Sequence, residues 1–201
     1  MVANYFGDNT AKRLGRLSLN PLRHIDPIGS IAVPGVLMLI GGIVFGWARA
    51  VPVNASQLTH PKRDMALVAF AGPFSNLLMA LCWALLMKLG LWLATAEVSV
   101  GVYLITMGAA GVFINTALMM INLLPFPPLD GGRILAYLLP DYGSKLLDKL
   151  EPFGFPILIV LILTGLLGKV VWPLMMFGMA SVTHLTGLPV GLLRSSLGLL
   201  F

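Results

Sequence analysis

Four long apolar runs dominate this chain and restrict what it can fold into. They cover residues 28–46, 65–94, 98–124 and 153–172. About 20 consecutive apolar residues in a helix cross the hydrocarbon core of a bilayer, and a helix satisfies its own backbone polar groups there. Since 58% of the residues are apolar and only 10% are charged, we predict an all-α, multi-pass transmembrane helical bundle. Pro34 and Pro73 lie inside two of the runs and predict helices broken or kinked by Pro and Gly.

The whole chain, 1–201, is predicted to form a single membrane domain in the cell membrane. A polar lead segment, 1–27, precedes the first run, and an apolar tail, 173–201, follows the last. The tail contains Pro, Gly, Ser, Thr and His, so a fifth span and a re-entrant or interfacial helix are both open.

The charge pattern favours membrane lipid as a partner over nucleic acid. The net charge is +5, but the 13 Lys and Arg lie mostly in the short connections between apolar runs, as membrane topology requires. No basic patch with interleaved aromatic residues is present, so no nucleic-acid partner is predicted. Cys82, the single cysteine, lies inside an apolar run and is expected to be a packing residue.

A carboxylate at the end of the third apolar run is the strongest candidate for a functional residue. Intramembrane carboxylates usually bind an ion, a proton or a partner charge. Prolines before Asp130 break the helix, and the glycines after it are expected to allow a tight turn. Such irregular backbone is tolerated at membrane depth only where protein or a water-filled cavity covers it. The alternative is a loop carboxylate paired with Arg133. The segment contains Asn122, Pro125, Pro127, Pro128, Asp130, Gly131, Gly132 and Arg133.

This segment, read as Asn-x-x-Pro-x-x-x-x-Asp-Gly, resembles the second active-site motif of the site-2 proteases, which are intramembrane zinc metalloproteases. Gly72-Pro73-x-x-Asn76 resembles another recurrent segment of that family, near its catalytic centre. The resemblance also covers residues 4–17, 19–21, 24–29 and 52–54. It implies a zinc metalloendopeptidase whose substrates are transmembrane or membrane-proximal peptides. It also implies that Asp130 is the third protein ligand of Zn²⁺, which polarises the scissile carbonyl and activates water.

Two asparagines are weaker candidates. In the family resemblance, Asn122 shapes the active site or holds substrate backbone, whereas by its own chemistry it could satisfy backbone groups freed by the prolines. Asn76 could likewise face the substrate or satisfy the backbone groups that Pro73 leaves free.

The first motif of the family, His-Glu-x-x-His, does not occur in these 201 residues. The three histidines, His24, His60 and His184, and the two glutamates, Glu97 and Glu151, do not have the spacing that this motif requires. Because the family carries that motif on a helix shortly before a segment like 4–17, we expect this chain to be truncated at its N-terminus. One identified ligand cannot hold zinc tightly, so catalysis by the chain alone is not expected. The alternative function is a non-catalytic membrane scaffold or regulator that keeps the protease fold. A transporter is a weaker third hypothesis, because paired repeats with broken helices are missing.

Overall fold

The computed structural model describes residues 1–18, 20, 22, 25–39 and 51–198. Within these ranges the chain forms helices and no strands, which confirms the all-α prediction. It divides into two compact units, Met1–Met65 and Ala66–Phe201. His24, the end of the first predicted run (40–46) and the last three residues of the tail lie outside the described residues.

The first unit consists of short helical pieces. Helix α1 covers Val2–Tyr5 and α2 covers Thr10–Arg13. A π-helical segment, Pro27–Ala32, leads directly into α3, Val33–Leu39. The Asp26 carboxylate caps this segment, because its Oδ1 accepts hydrogen bonds from the backbone N–H groups of Ile28 and Gly29. A 3₁₀ turn covers Ala55–Gln57.

A buried aspartate joins two distant segments of the first unit. Asp8 is 1% exposed, and its carboxylate accepts hydrogen bonds from the backbone N–H groups of Thr10 (2.9 Å) and Asn54 (2.8 Å). The Thr10 side chain and these N–H groups lower the pKa of Asp8, while burial opposes them. Close by, the backbone N–H and the hydroxyl of Thr59 both donate to the Phe6 carbonyl. These bonds tie residues 6–10 to residues 54–59.

The longest helices belong to the second unit. Helix α4 begins at Pro61 and ends at Thr95, α5 covers Val100–Asn122, and α6 covers Asp130–Leu138. They are followed by α7, Asp141–Leu163, by α8, Leu166–Thr186, and by α9, Val190–Leu197. Helix α5 packs against α8 and α9, and α7 packs against α6 and α8. The core contains small and flexible apolar side chains from α4, α5, α8 and the start of α9, including Ala80, Ala84, Met87, Ala109, Val112, Met179 and Val182.

Glycines bring α4 and α5 into backbone contact. A Cβ atom on Gly101 would come within 2.5 Å of the Ala94 backbone nitrogen and 2.6 Å of the Gly90 carbonyl oxygen. Further along α5, a Cβ on Gly111 would overlap the Trp83 ring. Helices in membranes associate through such close packing because lipid offers no hydrophobic drive between them. The pair α4–α5 is therefore a tightly packed hairpin.

Three helices in the described part of the chain are long and apolar enough to cross a membrane: Pro61–Thr95, Val100–Asn122 and Leu166–Thr186. The first two agree with the predicted runs 65–94 and 98–124. The predicted run 153–172 differs from the structure, because Gly165 adopts a left-handed conformation (φ 69°) and separates α7 from α8. Glycine adopts that conformation without steric penalty. The second half of the run therefore joins the tail in one helix that continues past Pro173.

Candidate functional site

Asp130 is the first residue of α6. Helix α5 ends at Asn122, and the loop between the two helices carries Pro125 and the cis-linked pair Pro127-Pro128. The chain turns before α6 through a backbone hydrogen bond from the Leu129 N–H to the Phe126 carbonyl (3.0 Å). The expected break between the third apolar run and Asp130 is thus present.

Gly131 and Gly132 do not form the tight turn that the sequence predicts. Both lie in the first turn of α6, and neither has a positive φ. Both are buried, and a Cβ on Gly131 would overlap the carbonyl oxygens of Leu123 and Leu124. A Cβ on Gly132 would lie 2.7 Å from the Pro127 nitrogen. The two glycines let α6 rest directly on the backbone of the preceding loop, and this contact holds Asp130 in place.

The Asp130 carboxylate lies against α4 at Gly72. An ideal Cβ on Gly72 would lie 2.9 Å from Asp130 Oδ2 and 3.9 Å from Asp130 Cγ. Apart from neighbouring residues of α4, no other described atom would lie within 4 Å of this Cβ. Real Cβ atoms essentially never approach another atom under 3.0 Å. Gly72 is exposed and Asp130 is half-buried, so the carboxylate rests on α4 and keeps an open side.

Arg133, the alternative ion partner of Asp130, pairs with a different carboxylate. Its Nη2 atom lies 3.9 Å from Glu151 Oε1 on α7, and both side chains are largely exposed. Burial raises the pKa of the Asp130 carboxyl above its ordinary value, and the positive charge of Arg133 works in the opposite direction. Asp130 is therefore a partly desolvated carboxylate, and its positively charged neighbour Arg133 also pairs with Glu151.

Gly72 is the residue that sequence reasoning overlooked. The Gly72-Pro73-x-x-Asn76 pattern indicates this part of α4, and it makes Asn76, not Gly72, the candidate for a functional side chain. Asn76 is half-buried and lies one turn after Gly72, on the same face of α4. Asn122 is half-buried at the C-terminal end of α5. Within the described part of the chain, neither asparagine side chain is hydrogen-bonded to Asp130.

Two of the three histidines belong to the described part of the chain. His60 precedes α4 in the first unit, with a side chain that is 65% exposed, and His184 is exposed near the end of α8. Among the residues that the structure describes, no three His, Cys, Asp or Glu side chains come together as a possible metal site. The described side chains by themselves thus do not fit a zinc ion, and Asp130 is the ligand that the family resemblance predicts among them.

The family relationship can be stated from the sequence. Residues 36–165, which include both Gly72 and Asp130, match the family model described as Peptidase family M50. The chain belongs to this family. The resemblance to the site-2 proteases drawn from the motifs is thereby confirmed.

Several bacterial relatives of this M50 chain are named as "Putative zinc metalloprotease". It is 38% identical over 192 residues to "Putative zinc metalloprotease YwhC" of Bacillus subtilis (strain 168), covering 92% of this chain and 81% of that protein. It is 32% identical to "Putative zinc metalloprotease Rip2" of Mycolicibacterium smegmatis, covering 82% of this chain and 60% of the relative. A Rip2 of Mycobacterium tuberculosis (strain H37Rv) is 30% identical, with 89% and 66% covered. No solved structure matches the chain.

Proposed function

We propose that this M50 chain belongs to an intramembrane zinc metalloprotease that hydrolyses peptide bonds of membrane proteins, with Asp130 as one zinc ligand. The observation that carries the proposal is the contact between Asp130 and Gly72. A carboxylate held against a bare helix backbone, with one side open, is positioned by its surroundings and keeps lone pairs free for an external partner. The two motifs of the family resemblance meet at this contact.

Asn76 and Asn122 have supporting roles in this proposal. Asn76 lies one turn along α4 from Gly72, and Asn122 ends the helix that leads into the Asp130 loop. Their amides can donate and accept hydrogen bonds, which suits them to hold an extended substrate backbone beside the carboxylate. Transmembrane or membrane-proximal peptides are the substrates we expect, and the cell membrane is the expected location.

The remaining zinc ligands have to come from residues other than those described. Catalytic zinc sites use three protein ligands, and the resemblance assigns two of them to a His-Glu-x-x-His helix. We therefore propose that zinc binding and hydrolysis belong to a longer form that carries this helix. The alternative, a membrane scaffold or regulator, is favoured by the absence of that motif from the 201 residues.

The experiment compares the 201-residue chain with an extended form that carries a His-Glu-x-x-His helix before Met1. Each is purified as the parent, as Asp130→Ala and as Asp148→Ala, a control that removes an exposed carboxylate of α7. Zinc content is measured by elemental mass spectrometry, and cleavage is measured on a single-pass transmembrane substrate.

We expect about one zinc per molecule and cleavage only in the extended parent and its Asp148→Ala variant. Loss of one of three protein ligands should remove most of both signals in Asp130→Ala. Stoichiometric zinc and Asp130-dependent cleavage by the 201-residue chain would contradict the need for added ligands. An extended form that holds no zinc and cleaves nothing would favour the scaffold.

A further inference from the structure

An open apolar cavity of about 620 Å³ lies in the second unit among α5, α8 and α9. Its volume falls within the range of about 300–1,000 Å³ that is usual for ligand sites. Large side chains from all three helices line it, and they include Phe113, Trp172, Met176, Met179, Leu193 and Leu197.

Arg194 on α9 is the one charged residue that lines this cavity. Its side chain is exposed, and in the part of the chain that the structure describes it forms no ion pair. Two other lining residues carry hydrogen-bond donors. Thr183 is buried, and its hydroxyl donates to the Ala180 carbonyl at 2.9 Å, whereas Trp172 is exposed and offers a neutral indole N–H. The guanidinium is therefore the one charged donor of the lining.

The setting of Arg194 makes an anionic ligand favourable. The cavity adjoins α5 and α8, both of which are long and apolar enough to span a membrane. An arginine close to a membrane interior is expensive unless it pairs with an anion or reaches the interface. The guanidinium presents a fixed fork of donors that matches phosphate oxygens, and basic pockets between membrane helices bind anionic lipid head groups.

We propose that this cavity holds an acyl chain of an anionic phospholipid from the surrounding membrane, with the lipid phosphate bound by Arg194. The apolar lining accommodates the hydrocarbon, and the single cation of the lining selects a head group with net negative charge. The site is separate from Asp130 and does not rest on the proposed protease activity.

The first test measures lipid retention by native mass spectrometry of the full 201-residue chain in detergent. Phosphatidylglycerol and phosphatidylcholine with identical acyl chains are titrated in competition. We expect phosphatidylglycerol to bind about tenfold more tightly, because the choline cation of phosphatidylcholine offsets the charge of its phosphate and repels the guanidinium of Arg194. Arg194→Gln should abolish this preference. The control Lys169→Gln removes an exposed cation of α8 that does not line the cavity, and it should keep the preference.

The second test fills the cavity. Ala180 lines it and is exposed, so Ala180→Trp adds volume there without displacing buried atoms. We expect phosphatidylglycerol retention to fall at least tenfold in Ala180→Trp and to persist in Leu185→Trp, which changes an α8 residue that is 69% exposed outside the lining. On the unaltered chain, a phospholipid with a photoreactive group in its acyl chain should label residues 172–183 of α8 and 193–197 of α9.

Three kinds of result would overturn the proposal. The first is equal retention of the two lipids by the unaltered chain, or photolabelling confined to other helices. The second is a dimer that excludes lipid and dissociates in Ala180→Trp, which would assign the cavity to a second copy of the chain. The third is lipid binding only after removal of residues 199–201, which would assign it to the chain's own C-terminal residues.

Discussion

Replacing Gly72 by alanine tests whether α4 positions the Asp130 carboxylate. The new methyl group would stand 2.9 Å from Asp130 Oδ2, whereas ordinary contacts begin at 3.4 Å. The carboxylate therefore has to move by about half an ångström or more, because the Gly72 side of the contact is the backbone of a long helix. Rotation away from a favoured side-chain torsion costs about 0.5–1.5 kcal/mol.

The same substitution has two opposing local effects. Alanine is more favourable than glycine in a helix interior by about 0.8–1.0 kcal/mol, but the ring of Pro73 disfavours the helical conformation of a preceding residue that carries a Cβ. We therefore expect the contact with Asp130 to decide the result, so that Gly72→Ala lowers the free energy of unfolding of the unaltered chain by roughly 0.5–1.5 kcal/mol. In an Asp130→Ala background the carboxylate is gone, and Gly72→Ala should then leave the free energy of unfolding nearly unchanged.

The assay is a double-mutant cycle measured by equilibrium unfolding of the detergent-solubilised chain, followed by circular dichroism. The expected coupling between positions 72 and 130 is about 0.5–1.5 kcal/mol. Gly168→Ala is the matched control, since a Cβ at Gly168 of α8 meets nothing within 4 Å. It should show the gain in helix propensity with no coupling to Asp130.

The extended form adds a second readout to this cycle. Changes in residues that orient a metal ligand typically cost about 10–100-fold in metal affinity or activity. Gly72→Ala should therefore weaken zinc binding by this factor. Additivity of the two substitutions within about 0.3 kcal/mol, together with unchanged zinc affinity, would refute the idea that Gly72 positions Asp130.

Two further predictions concern the contacts that hold each unit together. Asp8→Ala should destabilise the chain by roughly 2–4 kcal/mol at pH 7, because it leaves two backbone N–H groups without their carboxylate acceptor. Since the folded-state pKa of Asp8 is lowered, its stabilisation is complete above the ordinary carboxyl pKa of about 3.9 and is lost as pH falls through the folded-state value. The free energy of unfolding is measured from pH 7 to pH 2. The unaltered chain and the control Asp148→Ala should show this acid-dependent loss, and Asp8→Ala should not. Identical pH profiles for the unaltered chain and Asp8→Ala would contradict the prediction. Gly101→Ala should lower the free energy of unfolding by roughly 1–3 kcal/mol, because its Cβ would meet the backbone of Ala94 and Gly90. A free energy of unfolding equal to that of the Gly168→Ala control would argue against the tight α4–α5 contact.

Much of the helical architecture could be predicted from the sequence because its causes are local. Backbone groups in a hydrocarbon core have to be satisfied within the segment, so apolar runs of sufficient length predict helices with useful bounds. The runs 65–94 and 98–124 correspond closely to α4 and α5. Asp130 could be singled out for the same reason, since its prolines and glycines are neighbours in sequence.

The division of 153–172 between two helices depended on the conformation of one residue. Gly165 lies in an apolar sequence that would also suit a continuous helix, and its left-handed conformation separates α7 from α8. Both helices have packing partners, because α7 contacts α6 and α8 while α8 contacts α5 and α9. A choice between two locally acceptable conformations is made by such long-range contacts, which a run of apolar residues does not encode.

The sequence by itself therefore determined the apolar helical class and the family, and it singled out Asp130 as the candidate site residue. Only the tertiary structure decided that the Asp130 carboxylate lies against Gly72, because this depends on the packing and rotation of α4 relative to the loop after α5. It also decided that α5, α8 and α9 leave an apolar cavity beside Arg194. Contacts between residues far apart in the chain depend on how close the backbones come, and the glycines at these contacts set that distance.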